Sequence, residues 1–237
     1  GDVGCGKTIV AVITAAIVVG HNSQIAIMAP TEILAEQHFN SFIKHFKNYN
    51  ISCELLISNI NKTDKNDIYK KLENGEINII VGTHALIQEK VKFKDLGLVI
   101  IDEQHRFGVG QRKGLLDKGN NPNVLSMTAT PIPRTLAFTI HGDMDISWID
   151  EMPQNRKSII TKLINDENIN LVYDHMKKEM DKGNYCYVVY PLIEESDKMD
   201  LKDAKSGYEL LQKIFNNYKL GFMHGKLLKD KKNKLMN

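Results

Sequence analysis

The chain opens on Gly1-Asp-Val-Gly-Cys-Gly-Lys7-Thr8, and no other stretch narrows the possible folds as far. Gly1 and Gly6 stand with four residues between them, and Lys7-Thr8 follows directly, which is the spacing of a phosphate-binding loop. Glycines let the backbone curl into a nest of N–H groups that can hold phosphate oxygens. On this reading Gly1, Gly4, Cys5, Gly6, Lys7 and Thr8 form the cradle. Lys7 reaches the β- and γ-phosphates as a point charge, and the Thr8 hydroxyl ligates Mg²⁺. The apolar run after Thr8 puts a helix N-terminus behind the phosphates, where the dipole favours negative charge. The plainer alternative is a glycine-rich turn before a buried helix; the complete Gly-Lys-Thr ending favours nucleotide. A loop of this kind normally follows a strand. Here the chain begins at its first glycine, without Met, so it reads as a piece of a longer protein.

Composition sets wide limits. The 237 residues are enough for one large domain or two smaller ones, and 42% hydrophobic with 25% charged is ordinary for a soluble globular protein. A net charge of +2 allows a nucleic-acid partner without demanding one, since a local basic patch matters more than the total. Cys5, Cys53 and Cys186 are scattered and show no metal-ligand spacing, which points to a reducing, cytosolic setting. No uninterrupted apolar run approaches membrane-spanning length.

Along the chain, Ile9, Val10, Ile13, Ala16 and Ile17 recur at helical spacing, with Gly20 as a stop. A buried strand is predicted over 24–28. A helix follows, capped by Thr31, with Ala35, Phe39, Phe42, Ile43 and Phe46 on one face. Further strands are predicted over 51–57, 77–81, 98–101 and 124–127, with a charged helix over 62–74 closed by Gly75. Strands alternating with helices imply a doubly wound parallel α/β sheet, and nearly unbroken apolar strands imply one covered on both faces. Polar clusters stand just past the strand ends, at Pro30-Thr31, Gly82-Thr83-His84, Asp102-Glu103 and Thr128-Ala-Thr130, where an open α/β sheet takes its ligand. After a break at 141–156, the sequence predicts helices over 167–182 and 204–216, with strands over 185–190 and 220–223. The expected division is a first domain over 1–147, a linker over 148–158 and an incomplete second domain over 159–237.

Asp102-Glu103 supplies the other half of a nucleotide site. Phosphoryl transfer to water needs one carboxylate to hold Mg²⁺ and another group to act on the attacking water. Asp102 is assigned to the metal and Glu103 to the water, with Lys7 completing the catalytic set. Alone, an acidic pair at a strand end is often just solvated.

Asp102-Glu-Gln-His105 resembles the DExH box of superfamily 2 helicases. Several longer runs resemble the RecG family of bacterial branched-DNA helicases: 28–38, 81–88, 100–109 with Gln111-Arg112, and 127–137, continuing through 191–196 and His224-Gly225. The transcription-repair coupling factors share Thr-Ala-Thr-Pro-Ile-Pro-Arg-Thr but usually carry Glu-Glu-Gln where this chain has Glu-Gln-His. The chain also departs from the RecG pattern at Cys5, Gly110, Asn155 and Lys226, none of them a proposed catalytic group.

The resemblance implies a RecA-like lobe followed by a truncated second one, and an ATP- and Mg²⁺-dependent motor acting on branched double-stranded and single-stranded DNA. It implies a monomeric motor in the bacterial cytoplasm, away from membranes, that remodels stalled forks and Holliday junctions in recombination and repair. Pro30, Thr31, Gly82, Thr83 and His84 would contact DNA, although each cluster also reads as a helix cap or turn. Gln104, His105, Thr128 and Thr130 would couple hydrolysis to movement. Arg106, Arg112 and Arg134 are candidate basic contacts. A family member's wedge domain, arginine finger and translocation hairpin have no counterpart in these residues, so this stretch alone is expected to hydrolyse ATP slowly and not to unwind DNA. A strand before Gly1 is expected in the middle of the sheet, and a domain without it is expected to expose apolar neighbours and lose stability. Two further readings stay open: a coupling-factor-type translocase, and a nucleotide-gated DNA-binding module without turnover.

Overall fold

The computed structural model describes residues 1–130, 144–151, 159–190 and 197–224, together with 227, 231 and 235; the side chains of 197–204 are not described. The expectations for Arg134, half of the break at 141–156, Asn155, the run at 191–196, Gly225 and Lys226 lie outside the described residues. The chain divides into two compact units, Gly1–Lys157 and Ser158–Asn237.

The first unit is built on a parallel sheet of five strands in the order β2-β3-β1-β4-β5. In sequence these are β1 (Gln24–Met28), β2 (Cys53–Leu56), β3 (Ile79–Gly82), β4 (Leu96–Asp102) and β5 (Asn123–Met127). Every residue of β1 and β3 is buried, and all of β4 but Gly97, as expected for strands covered on both faces. The two-residue period of a strand sorts the side chains between two cores. Ile25, Ile27, Ile79, Val81, Leu98 and Ile100 pack under α1 (Lys7–Gly20) and α2 (Glu32–Phe46). Ala26, Met28, Ile80, Val99 and Ile101 pack under α3 (Lys62–Asn74) and α4 (Val109–Leu116). The architecture is the RecA-like doubly wound sheet that the alternation of strands and helices implies.

Local signals explain the helix ends. Thr31 is extended and its Oγ1 accepts from the Leu34 N–H at 3.3 Å, so α2 starts where the side chain can satisfy an orphan donor. Gly75, at φ +81°, closes α3 in the left-handed conformation. In α2 the buried face carries Ala35, Phe42 and Phe46, with Phe39 partly buried against the core, whereas Ile43 points out.

For α1 the visible stripe is not the buried one. Ala11, Val12 and Ala15 face the sheet, while Ile13 and Ile17 are 55% and 60% exposed, and Ile9 and Val10 are also exposed. A helix apolar on all sides gives no phase by itself. Small alanines let the axis approach the strands closely, which leaves the isoleucines Ile9, Ile13 and Ile17 outside.

The second unit departs further from expectation. It holds α5 (Ile169–Asp181), preceded by a turn of 3-10 helix at 166–168, and α6 (Asp197–Ile214). The stretches 185–190 and 220–223 form no strands. A strand is held by its neighbours' ladder, and two candidate segments without further partners make a marginal sheet at best. Tyr185 accordingly stands 90% exposed and Val189 85%. The described contacts join helix to helix: Tyr173 meets Phe215 edge to face at 5.8 Å, and Tyr218 donates to Asp181 Oδ1 at 2.6 Å.

Gln24 fastens the lower end of the sheet. It is 3% exposed, donates to the Leu72 and Ile77 carbonyls at 2.9 and 2.7 Å, and accepts from the Lys94 and Asp95 N–H groups at 2.7 and 3.1 Å. The amide thus uses both of its polar ends, tying β1 to the end of α3 and to the turn before β4. Gln24→Leu would remove the side-chain partner of the Ile77 carbonyl and of the Lys94 and Asp95 N–H groups and should lower the unfolding free energy by about 2–4 kcal/mol. Urea denaturation measures this, and a loss below about 0.5 kcal/mol would show that the clamp carries little.

Candidate nucleotide site

Three sequence-distant stretches meet at the carboxyl-terminal edge of β4 and β5. The loop turns through left-handed backbone at Gly4 and Gly6, at φ +82° and +102°, a region costly for side chains with a Cβ. Gly6 is the N-cap of α1, no side chain caps that helix, and its first turn holds no acidic residue. The helix start therefore keeps its N–H groups and its positive end for an anion. Lys7 Nζ folds back over the loop and donates to the Gly1 and Asp2 carbonyls at 2.7 and 2.8 Å. Thr8 stands half-buried in the first turn. The loop is anchored to the sheet where the Gly1 amino group reaches the Thr128 carbonyl at 3.5 Å.

On the opposite side, the β4–β5 register sets Asp102 beside Met127, and the Glu103 N–H continues the ladder to the Met127 carbonyl at 2.9 Å. Glu103 then leaves the strand at φ +50°. A left-handed glutamate is uncommon and persists only where its surroundings hold it. Here they do. Its carboxylate accepts from Thr128 Oγ1 and from the Ala129 N–H, both at 3.1 Å, and His105 Nδ1 lies 3.4 Å from Oε2. Thr128 and Thr130 share a hydroxyl–hydroxyl bond of 2.8 Å. Asp102 points elsewhere, with its Oδ2 2.9 Å from His38 Nε2 on α2.

The structure thus brings together Gly1, Lys7, Glu103, His105, Thr128 and Thr130 in one bonded network. Gln104 is buried and accepts from Arg112 Nη1 at 3.5 Å. That bond turns Arg112, a candidate basic contact, toward the protein interior, where its Nε is buried without a hydrogen-bond partner among the described residues. Arg106 remains exposed. The expected DNA-facing residues lie on the same edge of the sheet but outside this network. Pro30 and Thr31 follow β1, Gly82 closes β3, and Ala29 N–H donates to the Gly82 carbonyl at 2.9 Å. Thr31 acts as a helix cap, Thr83 is buried with an unpartnered hydroxyl, and His84 is exposed.

Among the described residues no cluster of three or more His, Cys, Asp or Glu side chains could cage a metal. Thr8 and Asp102, the residues expected to hold Mg²⁺, would supply a hydroxyl and a carboxylate, oxygen donors of the kind that cation takes alongside waters and phosphate. Cys53 is no reactive group, since burial pushes its thiol up to about 12. A cleft of about 590 Å³ extends from Gly1, Asp2, Lys7 and Gln104 along β5 to the segment 144–149.

Two contributors escaped the sequence reading. The Ala129 N–H acts through the backbone and has no residue signature. His38 did leave a signal: it sits one turn from Ala35 and from Phe42, a lone polar residue on the buried stripe of α2.

A parallel RecA-like sheet whose strand-end edge carries a phosphate-type loop and an acidic pair is the arrangement of a P-loop nucleotide-binding core. The DEAD/DEAH box helicase family matches residues 1–138, and the chain belongs to that family. Within it the chain is homologous to the proteins called ATP-dependent DNA helicase RecG. It is 53% identical to that of Aquifex aeolicus, over 96% of the chain and 29% of the relative. The Bacillus subtilis protein is 51% identical over the whole chain and 35% of its own length. The Thermotoga maritima protein is 48% identical over the whole chain and 30% of its own length. A solved structure of RecG bound to a three-way DNA junction superposes with a TM-score of 0.78 at 43% identity, covering the whole chain and 30% of that protein. The chain thus spans about a third of the relatives it matches. No described helix is long and apolar enough to cross a membrane.

Thr128→Val keeps the shape of the side chain and removes one of the two bonds aiming Glu103. ATP turnover should fall about ten-fold with nucleotide affinity within about two-fold, a split read by comparing kcat with the nucleotide Kd. Unchanged kcat would show that Ala129 alone suffices to aim the carboxylate.

Proposed function

We propose that the protein carrying this chain is an ATP-driven DNA helicase that remodels branched DNA, stalled forks and Holliday junctions, in bacterial recombination and repair. The observation that carries the reading is the aimed Glu103 carboxylate, bonded to Thr128 and Ala129 beside a phosphate-type loop. The similarity to RecG over the whole chain supports branched DNA as the substrate class.

The loop N–H groups and the N-terminus of α1 bind the phosphates of ATP. Lys7 exchanges the Gly1 and Asp2 carbonyls for phosphate oxygens, which releases the loop as nucleotide enters. Thr8 and Asp102 would hold Mg²⁺, which would supply charge neutralisation on the transferring phosphoryl group. Glu103 orients the attacking water and accepts its proton. Thr128 couples that event to movement, since its hydroxyl bonds the acting carboxylate while its carbonyl meets the start of the loop. The strand-end residues Pro30, Thr31, Gly82, Thr83 and His84 grip DNA through phosphate contacts, which give hold without sequence reading. The RecG resemblance supports a monomer as the working motor. The bacterial relatives support the cytoplasm as its setting.

The test is ATPase activity of the full-length protein with forked DNA, comparing wild type with Lys7→Ala and Glu103→Gln. Both variants should lose at least about 100-fold in turnover, with Lys7→Ala also weakening nucleotide binding and Glu103→Gln retaining it. Equal rates in all three would remove the motor reading and leave a nucleotide-gated binding module. Displacement of stalled RNA polymerase in place of fork remodelling would assign the motor to a coupling factor.

A further inference from the structure

The Asp102 carboxylate has one side-chain partner among the described residues, and it comes from a part of the chain with no acidic or phosphate-binding motif. His38 lies in the second turn of α2, and its Nε2 is 2.9 Å from Asp102 Oδ2. The side chains are 11% and 12% exposed. An ionised carboxylate only accepts, so Nε2 carries the proton and donates it.

The placement is rigid at both ends. Asp102 is the last residue of β4 and pairs in register with Met127. α2 is started by the Thr31 cap and pinned to the sheet by Ala35, Phe42 and Phe46, all within one core. A leucine at position 38 would suit that apolar face better than an imidazole. A buried polar pair adds little net stability over well-packed apolar groups. What the bond does supply is direction: with Oδ2 held by His38, the carboxylate cannot rotate freely, and Oδ1 has no protein partner among the described residues.

We infer that His38 is a positioning residue that fixes the Asp102 carboxylate so that Oδ1 faces a hydrated divalent cation. The inference rests on the Mg-nucleotide reading of the site given above. Hydrogen-bonded supports of this kind orient a ligating carboxylate, and their removal typically costs about 10–100-fold in metal affinity.

The experiment uses full-length protein and ADP, with Mn²⁺ binding to the nucleotide complex followed by electron paramagnetic resonance. Nucleotide binding in excess EDTA and thermal melting are measured in parallel. His38→Leu, which fills the space without a donor, should weaken Mn²⁺ by about 10–100-fold while metal-free ADP affinity stays within about two-fold. His38→Gln, whose amide can donate in place of Nε2, should recover most of the loss. Mn²⁺ affinity unchanged or tighter in His38→Leu would overturn the inference, as would a His38→Gln protein as weak as His38→Leu. If wild type binds ADP without any Mn²⁺ site, the Mg-nucleotide reading itself fails. If wild type binds Mn²⁺ and His38→Leu matches it, that reading stands and only the role of His38 is lost.

Discussion

The parallel pairing of β4 with β5 is the interaction on which the site depends. Because the ladder runs one residue past the strand, through Glu103 N–H to the Met127 carbonyl, the chain must turn sharply at Glu103. The left-handed backbone there is the local cost, and the bonds from Thr128 and Ala129 offset it. Neighbouring carboxylates are thereby sent in different directions, Asp102 toward α2 and Glu103 toward the end of β5. A register slip of one residue would turn both to the wrong faces.

The sheet can supply that precision because it is packed from both sides. Two apolar layers, each fed by alternate residues of the same strands, leave the central strands little freedom. Gln24 closes the end of the sheet remote from the site, bonding four backbone groups with one side chain. The outer face of α1 is different, since Ile13 and Ile17 remain exposed.

Much of the first unit was legible from residues alone. Continuous apolar strands, the Thr31 cap and Gly75 announce themselves locally, because each depends on a period or on one backbone conformation. The strands expected at 185–190 and 220–223 did not form, although their composition is strand-like. Strand propensity describes fitness for a paired, half-buried surface, and these segments have no such surface among the described residues. The outward-facing stripe of α1 misled for a related reason: in a helix apolar on all sides, the packing partner chooses the face.

The sequence by itself determined the class of fold, the phosphate-binding loop and the acidic pair, since spacing and residue type carry those features without reference to neighbours. Only the tertiary structure decided which donors each carboxylate of the pair meets. Glu103 is aimed by a threonine hydroxyl and a backbone N–H from β5's end, and Asp102 by a histidine 64 residues earlier in the chain. The direction of a carboxylate is set by the donors that surround it, and those donors are assembled only when parallel strands bring distant ends to one edge. The opening loop is readable as a cradle from its glycines. Its placement against Thr128 is a property of the folded sheet.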